Sequence, residues 1–380
     1  MNTRIGISLL ASTALLSLAP ACNPSGLEPI TSGSTTATST TTSGSGGTGG
    51  TGGEAGSTTS SSTGGAPQTG CAPACGSAEI CLEGACHGLI QLDTATAMNA
   101  GVCTIALDAA NVYWMTSDVR RVPKAGGPST LLDSGASSPG GLVVDDTYLY
   151  WTNFGIQRAE KTAPAIPGAT AGVFYADEGS SPARMVGDGT KLYYVQEYAI
   201  YEAPQSGPPD PHAPLIEFSD TWSSVIGTPI AVDAKSVYLW TEGATVLTKV
   251  DKDQQKSANI ANRGNSTIDA TCGLVVDDTG VYFSTAPRPA QGGLVVKVGS
   301  GGGLRTVLVG PENGANGVFA VDDSSLYFMT PTGVMKMPKT GGAAALVSPL
   351  SLPSPFPTCI AVDAKYVYWV DGLKLMQLEK

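Results

Sequence analysis

Two histidines, His87 and His212, and eight cysteines are the side chains best equipped for covalent or acid–base chemistry in this 380-residue chain. A Ser-His-Asp or Cys-His relay needs an imidazole held within hydrogen-bond reach of a nucleophile. His87 stands beside a cluster of cysteines and His212 lies in the proline-rich run PPDPHAP, so no pattern brings either to a shared pocket. The run GSGGGL at 299–304 is followed by neither a Lys-Ser/Thr pair nor a helical pattern, which separates it from a phosphate-cradling loop. Aspartate is the ionisable residue that returns at a fixed place, and its recurrence fits the capping of turns rather than acid–base work. These patterns assign no catalytic residue, no metal and no cofactor.

The cysteines point to compartment rather than to catalysis. Cys71, Cys75, Cys81 and Cys86 fall within the 18 residues of CAPACGSAEICLEGACHG. In an oxidising compartment such spacing predicts two disulfides in a small knot, with three pairings open. A zinc site from these thiolates, or from three of them and His87, would want the paired C-x2-C spacing that is absent here.

The organisation that positions these residues is legible along the chain. Residues 1–22 read as an export signal: Arg4 is basic, Ile5 to Leu18 is apolar, and Ala19-Pro20-Ala21 precedes Cys22. The apolar stretch is shorter than the roughly 20 residues that span a bilayer. Residues 23–70 are a Ser/Thr/Gly spacer with no apolar periodicity, and its r.m.s. reach is about 35–40 Å. The Cys-rich knot is assigned to 71–87. A net charge of −11 and a pI near 4.6 argue against nucleic acid as a partner, because phosphate backbones select clustered Lys and Arg.

From residue 100 one interval repeats: an Asp, four residues, then a Tyr. The pairs are Asp108/Tyr113, Asp145/Tyr150, Asp188/Tyr193, Asp233/Tyr238, Asp277/Tyr282, Asp322/Tyr327 and Asp363/Tyr368. A period near 40 residues belongs to propeller blades of four strands. Each copy predicts an inner strand ending at the Asp, a turn capped by its side chain, and a second strand carrying the Tyr. A third strand then leads to Pro-Lys-x-Gly-Gly, as at Pro123–Gly127 and Pro338–Gly342, and a fourth follows. The expected fold is all-β: a seven-bladed propeller over 88–380, following the spacer and the knot. The seventh copy stops after three strands, so an N-terminal strand around Leu89–Leu92 is expected to complete it and close the ring. Closure makes the first and seventh copies neighbours, which makes Cys103–Cys359 the expected third disulfide. Cys272, in the fifth copy, is left as a lone thiol near the channel.

Cys22 at the end of the export signal resembles the lipobox of bacterial lipoproteins, which implies lipidation at Cys22 and a membrane anchor. Ordinary A-x-A cleavage at the same bond would leave a free thiol instead. The phrases LYWTN and VYW resemble the YWTD family of propellers, and the layout is similar to NHL-type propellers. YWTD propellers are usually six-bladed, whereas this chain offers seven copies; the closing Asp of that motif survives only as a displaced echo at Asp371. The resemblance implies protein, peptide or glycan binding on one face, with a few members of related families being enzymes.

A ligand face is therefore expected where second-to-third strand links and inter-blade loops gather, and residues breaking the repeat there are its candidates. They are Asp118, Asn153, Phe154, Arg184, Glu197, Tyr198, Trp222, Glu242, Arg288 and Asp371. The insert APRPAQGG at 286–293 is expected to overhang the channel. The functional expectation is a non-enzymatic binding or scaffolding lipoprotein, monomeric, held by its lipid anchor at the outer membrane or cell surface. The alternative is a lyase or hydrolase using the funnel, and a purely structural envelope component is the third class.

Overall fold

The computed structural model describes residues 71, 74–76, 79–82, 84–96, 103–135, 140–153, 155–164, 172–175, 184–196, 198–205, 214–218, 229–241, 245–262, 271–285, 292–350 and 359–380. The export signal, Cys22 and the spacer lie outside them. The described residues form a seven-bladed β-propeller of antiparallel sheets, with only one short 3-10 turn at Pro311–Asn313. Among them no helix is long and apolar enough to cross a membrane.

Blade 1 sets the pattern. Its strands Thr104–Leu107, Asn111–Met115, Asp118–Pro123 and Thr130–Ser134 pair in chain order, from the channel outward. The second strand is buried on both faces, because neighbouring blades cover it: Val112, Tyr113, Trp114 and Met115 expose 1 % or less. Equivalent strands place Trp151, Trp240 and Trp369 in the same interior, so each inter-blade space is filled by large side chains. Blades 2 to 6 repeat the order, beginning at Leu142–Val144, Arg184–Gly187, Ile230–Val232, Thr271–Asp277 and Phe319–Val321.

Blade 7 supplies Ile360–Val362, Tyr366–Asp371 and Lys374–Glu379, and its fourth strand comes from the N-terminal side, Ala85–Thr94. The register pairs Leu89 with Leu378, Ile90 with Gln377 and Gln91 with Met376, which is the expected closure. Glu79–Leu82 adds a fifth strand to the same sheet through a hairpin that pairs Cys81 with Cys86. The closing strand and the outer arm of the knot are thus one continuous element. Of the three pairings open in the sequence, the knot adopts Cys71–Cys81 and Cys75–Cys86. Cys103–Cys359 joins the lead-in segments of blades 1 and 7 nearer the channel. Cys272 lies on the inner strand of blade 5, and its side chain falls outside the described residues.

The repeated aspartates explain the repeat. In all seven blades Oδ1 of the Asp accepts backbone N–H groups two and three residues on, as Asp108 does from Ala110 and Asn111. In six blades Oδ2 accepts the tyrosine hydroxyl, at 2.8 to 3.3 Å. Blade 5 differs, with the Tyr282 hydroxyl meeting Thr279 Oγ1 at 2.7 Å. Burial and the neighbouring carboxylate push Tyr113, Tyr150, Tyr193, Tyr238 and Tyr368 well above the ordinary phenol range, so each remains a donor.

A lysine from the next blade completes the arrangement. The residue immediately after each third strand is Lys124, Lys161, Gln205, Lys252, Gly299, Lys339 or Lys380. The five lysines reach back one blade: Lys161 to Asp108 at 3.2 Å, Lys252 to Asp188 and Lys124 to Asp363 at 2.6 Å, Lys339 to Asp277, and Lys380 to Asp322. Lys124 crosses the seam between blades 1 and 7, so the closing joint is latched like four of the other six. Burial alone would raise these five carboxyls. The turn N–H groups and the lysines outweigh it, and all five sit below their ordinary value.

Depressed carboxyl pKa values contribute stability that is present above the unfolded-state value and is lost as pH falls through the folded one. The urea midpoint is therefore expected to hold between about pH 7 and 5 and to drop steadily below about pH 4. A midpoint that rose on acidification would contradict the latch. Replacing Cys103 and Cys359 by Ser, which frees the seam, is expected to cost about 2–5 kcal/mol in denaturant unfolding. An unchanged midpoint would mean that strand pairing alone closes the ring.

Candidate functional site

The inner strands enclose a central cavity of about 390 Å³, walled by blades 1 to 5. Its lining is Ile105, Ala106, Leu107, Leu142, Val143, Val144, Met185, Val186, Gly187, Ile230, Ala231, Val232, Leu274, Val275 and Val276, without an ionisable group among them. The reason is local. Each inner strand is a short, mostly aliphatic run, and its carboxylate falls at or just beyond its end, where the turn N–H groups bind it. The recurrent acids are thereby withheld from the channel.

Five of the ten repeat-breaking candidates lie among the described residues. Asp118 accepts from Thr96 Oγ1 at 2.9 Å and lies 3.6 Å from Arg120, which also approaches Asp93 at 3.8 Å. Asp93 in turn accepts from Trp114 Nε1 at 3.0 Å, so Asp118 belongs to a network that ties the closing strand to blade 1. Asp133 repeats the device, receiving Trp151 Nε1 at 3.0 Å between blades 1 and 2. The backbone of Asn153 closes a tight link, its N–H donating to Gly155 and its carbonyl accepting from Gln157. Asp371 is buried at the end of a blade 7 strand, opposite Lys374. Tyr198 is 48 % exposed, in the link between the second and third strands of blade 3. Phe154, Glu197, Trp222, Glu242 and Arg288 lie outside the described residues, as do His212 and 286–291 of the insert.

Arg184 stands apart. It opens the inner strand of blade 3, four residues before Asp188, where the other blades carry Thr104, Gly141, Pro229, Gly273, Val318 and Cys359. It is the charged residue at that level of the ring. It is half-buried, and burial lowers its pKa; it is not among the residues that line the central cavity.

The same blade departs twice more, and sequence reading missed both. One residue before each Asp stand Leu107, Val144, Gly187, Val232, Val276, Val321 and Val362, so blade 3 alone lacks a side chain there. A Cβ on Gly187 would lie 2.6 Å from Val143 Cγ1 and 3.1 Å from Gln205 Nε2, so the glycine permits a close approach. Gln205 takes the latch position. Its carbonyl accepts the Tyr150 hydroxyl at 2.8 Å, while both atoms of its buried side-chain amide lack a partner. The signal was available once the seven copies were aligned past their third strands, where Lys recurs and Gln205 and Gly299 break it.

No protein-family model matches the chain, and no curated protein does. Solved structures match in fold. Virginiamycin B lyase from Staphylococcus aureus aligns over 77 % of this chain and 99 % of its own, at 11 % identity and a TM-score of 0.59. The WD40 propeller domain of Doa1 aligns over 77 % and 97 %, at 12 % identity and a TM-score of 0.54. The extracellular domain of BT4673 from B. thetaiotaomicron aligns over 76 % of this chain and 40 % of its own, at 14 % identity and a TM-score of 0.51. At these identities the likeness is one of architecture.

Gln205→Lys would supply the missing latch to Asp145 and remove an amide whose burial without partners costs about 1–3 kcal/mol. The variant is expected to be more stable by about 1 kcal/mol, raising Tm by about 2 °C. A lower Tm would show that the blade 2–3 joint is built to exclude a lysine.

Proposed function

We propose that this chain is an exported, non-enzymatic binding or scaffolding propeller, held at the cell envelope by lipidation of Cys22. In this reading residues 1–22 are the signal, 23–70 the tether, 71–87 the knot and 88–380 the binding body, comparable with YWTD- and NHL-type propellers. The observation that carries it is the aliphatic lining of the central cavity, set beside the exposed Tyr198 on the loop face, in a second-to-third strand link of blade 3. Aliphatic walls supply no nucleophile, base or metal ligand, which favours recognition over reaction. An exposed aromatic such as Tyr198 is the type of side chain that anchors protein, peptide or glycan contacts. A tethered propeller would present that face away from the membrane as a monomer.

Radiolabelled palmitate given to the source cells is expected to mark the wild-type chain and not Cys22→Ser. Immobilised full chain is expected to retain a defined glycan or peptide from a display library, and Tyr198→Ala to weaken retention about tenfold or more. Retention that survives Tyr198→Ala unchanged would move docking off this face. Turnover of a library substrate, lost on mutation of a channel residue, would replace this reading with the lyase or hydrolase.

A further inference from the structure

The seven joints of the ring are not equally held, and the weakest is not the one where the chain closes on itself. Five joints carry a lysine latch. Those between blades 2 and 3 and between blades 4 and 5 do not, with Gln205 and Gly299 at the latch position. The 4–5 joint has substitutes. Arg305 Nη1 donates to the Asn262 carbonyl at 2.6 Å, and the buried apolar filling there is the largest of the seven among the described residues. The 2–3 joint lacks both. Its buried filling, Tyr150, Ile156, Met185, Leu192, Tyr194 and Ala203, is the smallest of the seven among the described residues.

Its polar contacts also compete. The Tyr150 hydroxyl lies 2.9 Å from Asp145 Oδ2 and 2.8 Å from the Gln205 carbonyl, and its single proton cannot serve both fully. The Gln205 amide is 4 % exposed, with neither Oε1 nor Nε2 bonded to protein. That burial opposes closure, because water would satisfy both atoms. The indole bridges of the 7–1 and 1–2 joints, Trp114 to Asp93 and Trp151 to Asp133, have no counterpart here. Tyr194 stands at the indole's place, and the fourth strand of blade 2, Gly172–Tyr175, contains no carboxylate. The seam between the termini has a disulfide, a latch, an indole bridge and a paired strand.

We propose that the joint between blades 2 and 3 is the gate of the ring: the native propeller opens there, sideways into the central cavity, while every latched joint stays closed. Val143, Met185 and Gly187 belong both to this joint and to the cavity wall, and Gly187 packs on Val143 in the closed state. Their contacts are aliphatic and non-directional, so they re-form without a change of partner. The other joint without a latch lies two blades on, so blades 3 and 4, held together by Lys252, swing as a pair. Locked termini with one loose internal joint let the cavity exchange its contents without unravelling the chain ends. This device goes beyond the docking read for the loop face and does not depend on it.

A cysteine buried in a joint reacts only when that joint opens, so iodoacetamide labelling reads the opening. In the full chain carrying Cys22→Ser and Cys272→Ser, Met185→Cys probes the 2–3 joint and Leu142→Cys the latched 1–2 joint. The two residues hold the same place in their blades, three before the Asp, and are 4 % and 7 % exposed. Met185→Cys is expected to react about tenfold or more faster than Leu142→Cys, the value of one charge-assisted contact. Adding Gln205→Lys, which supplies the Asp145 latch, should slow Met185→Cys about tenfold and leave Leu142→Cys as it was. Lys161→Gln, which removes the 1–2 latch, should speed Leu142→Cys alone. Global unfolding would move both probes together, so the contrast isolates the joint. A second readout leaves the core intact: hydrogen exchange of the wild-type chain against Gln205→Lys is expected to slow in blades 3 and 4 alone. Equal labelling of the two cysteines, or a Gln205→Lys effect that is absent or shared by both, overturns the proposal.

Discussion

A half-buried carboxylate with up to three kinds of donor is the interaction on which this structure turns. One oxygen of each repeated Asp takes the turn's N–H groups, and in six blades the other takes a tyrosine hydroxyl from the following strand. At five of the seven joints it also takes a lysine from the next blade. Turn, strand pair and blade packing therefore share one atom group. An isolated surface ion pair contributes little, but here each lysine side chain exposes 18 % or less and the acceptor is already oriented by the turn. Geometry fixed locally is reused between blades, which is how a repeated short sequence builds a closed ring.

Closure is the second constraint. A propeller with an open seam exposes two sheet edges and an uncovered inter-blade face. The seam is held at three radii: Cys103–Cys359 near the channel, Lys124–Asp363 at the turns, and the pairing of Ala85–Thr94 with Lys374–Glu379 outside. The knot extends that outer strand through its hairpin with Glu79–Leu82, which makes it part of the blade 7 sheet rather than a separate body.

The turn cap, present at all seven aspartates, keeps every recurrent acid out of the channel and leaves its walls aliphatic. Blade 3 departs from the repeat by lacking the latch to Asp145 and a side chain at Gly187. The loss is local because the blade keeps its Asp188–Tyr193 pair and its own joint to blade 4 through Lys252.

Much of this was legible in the chain itself. The Asp-to-Tyr interval, the truncated seventh copy and the leftover strand before residue 100 determined blade number, strand order, ring closure and the Cys103–Cys359 pair, because each is a matter of counting along a repeat. The aspartates' capping role was legible too, since an Asx turn is satisfied within three residues. The lysine latch was not, although two of its lysines, Lys124 and Lys339, were visible in the Pro-Lys-x-Gly-Gly phrases. Their partners sit in the preceding blade, 53 to 64 positions away in four cases and 239 at the seam, and only packing brings them together. The same holds for the choice among three pairings in the knot, and for the meeting of Gly187 with Gln205 across two strands. Local hydrogen bonding is written in sequence spacing; contacts between blades depend on how closed sheets pack, and that is decided in three dimensions.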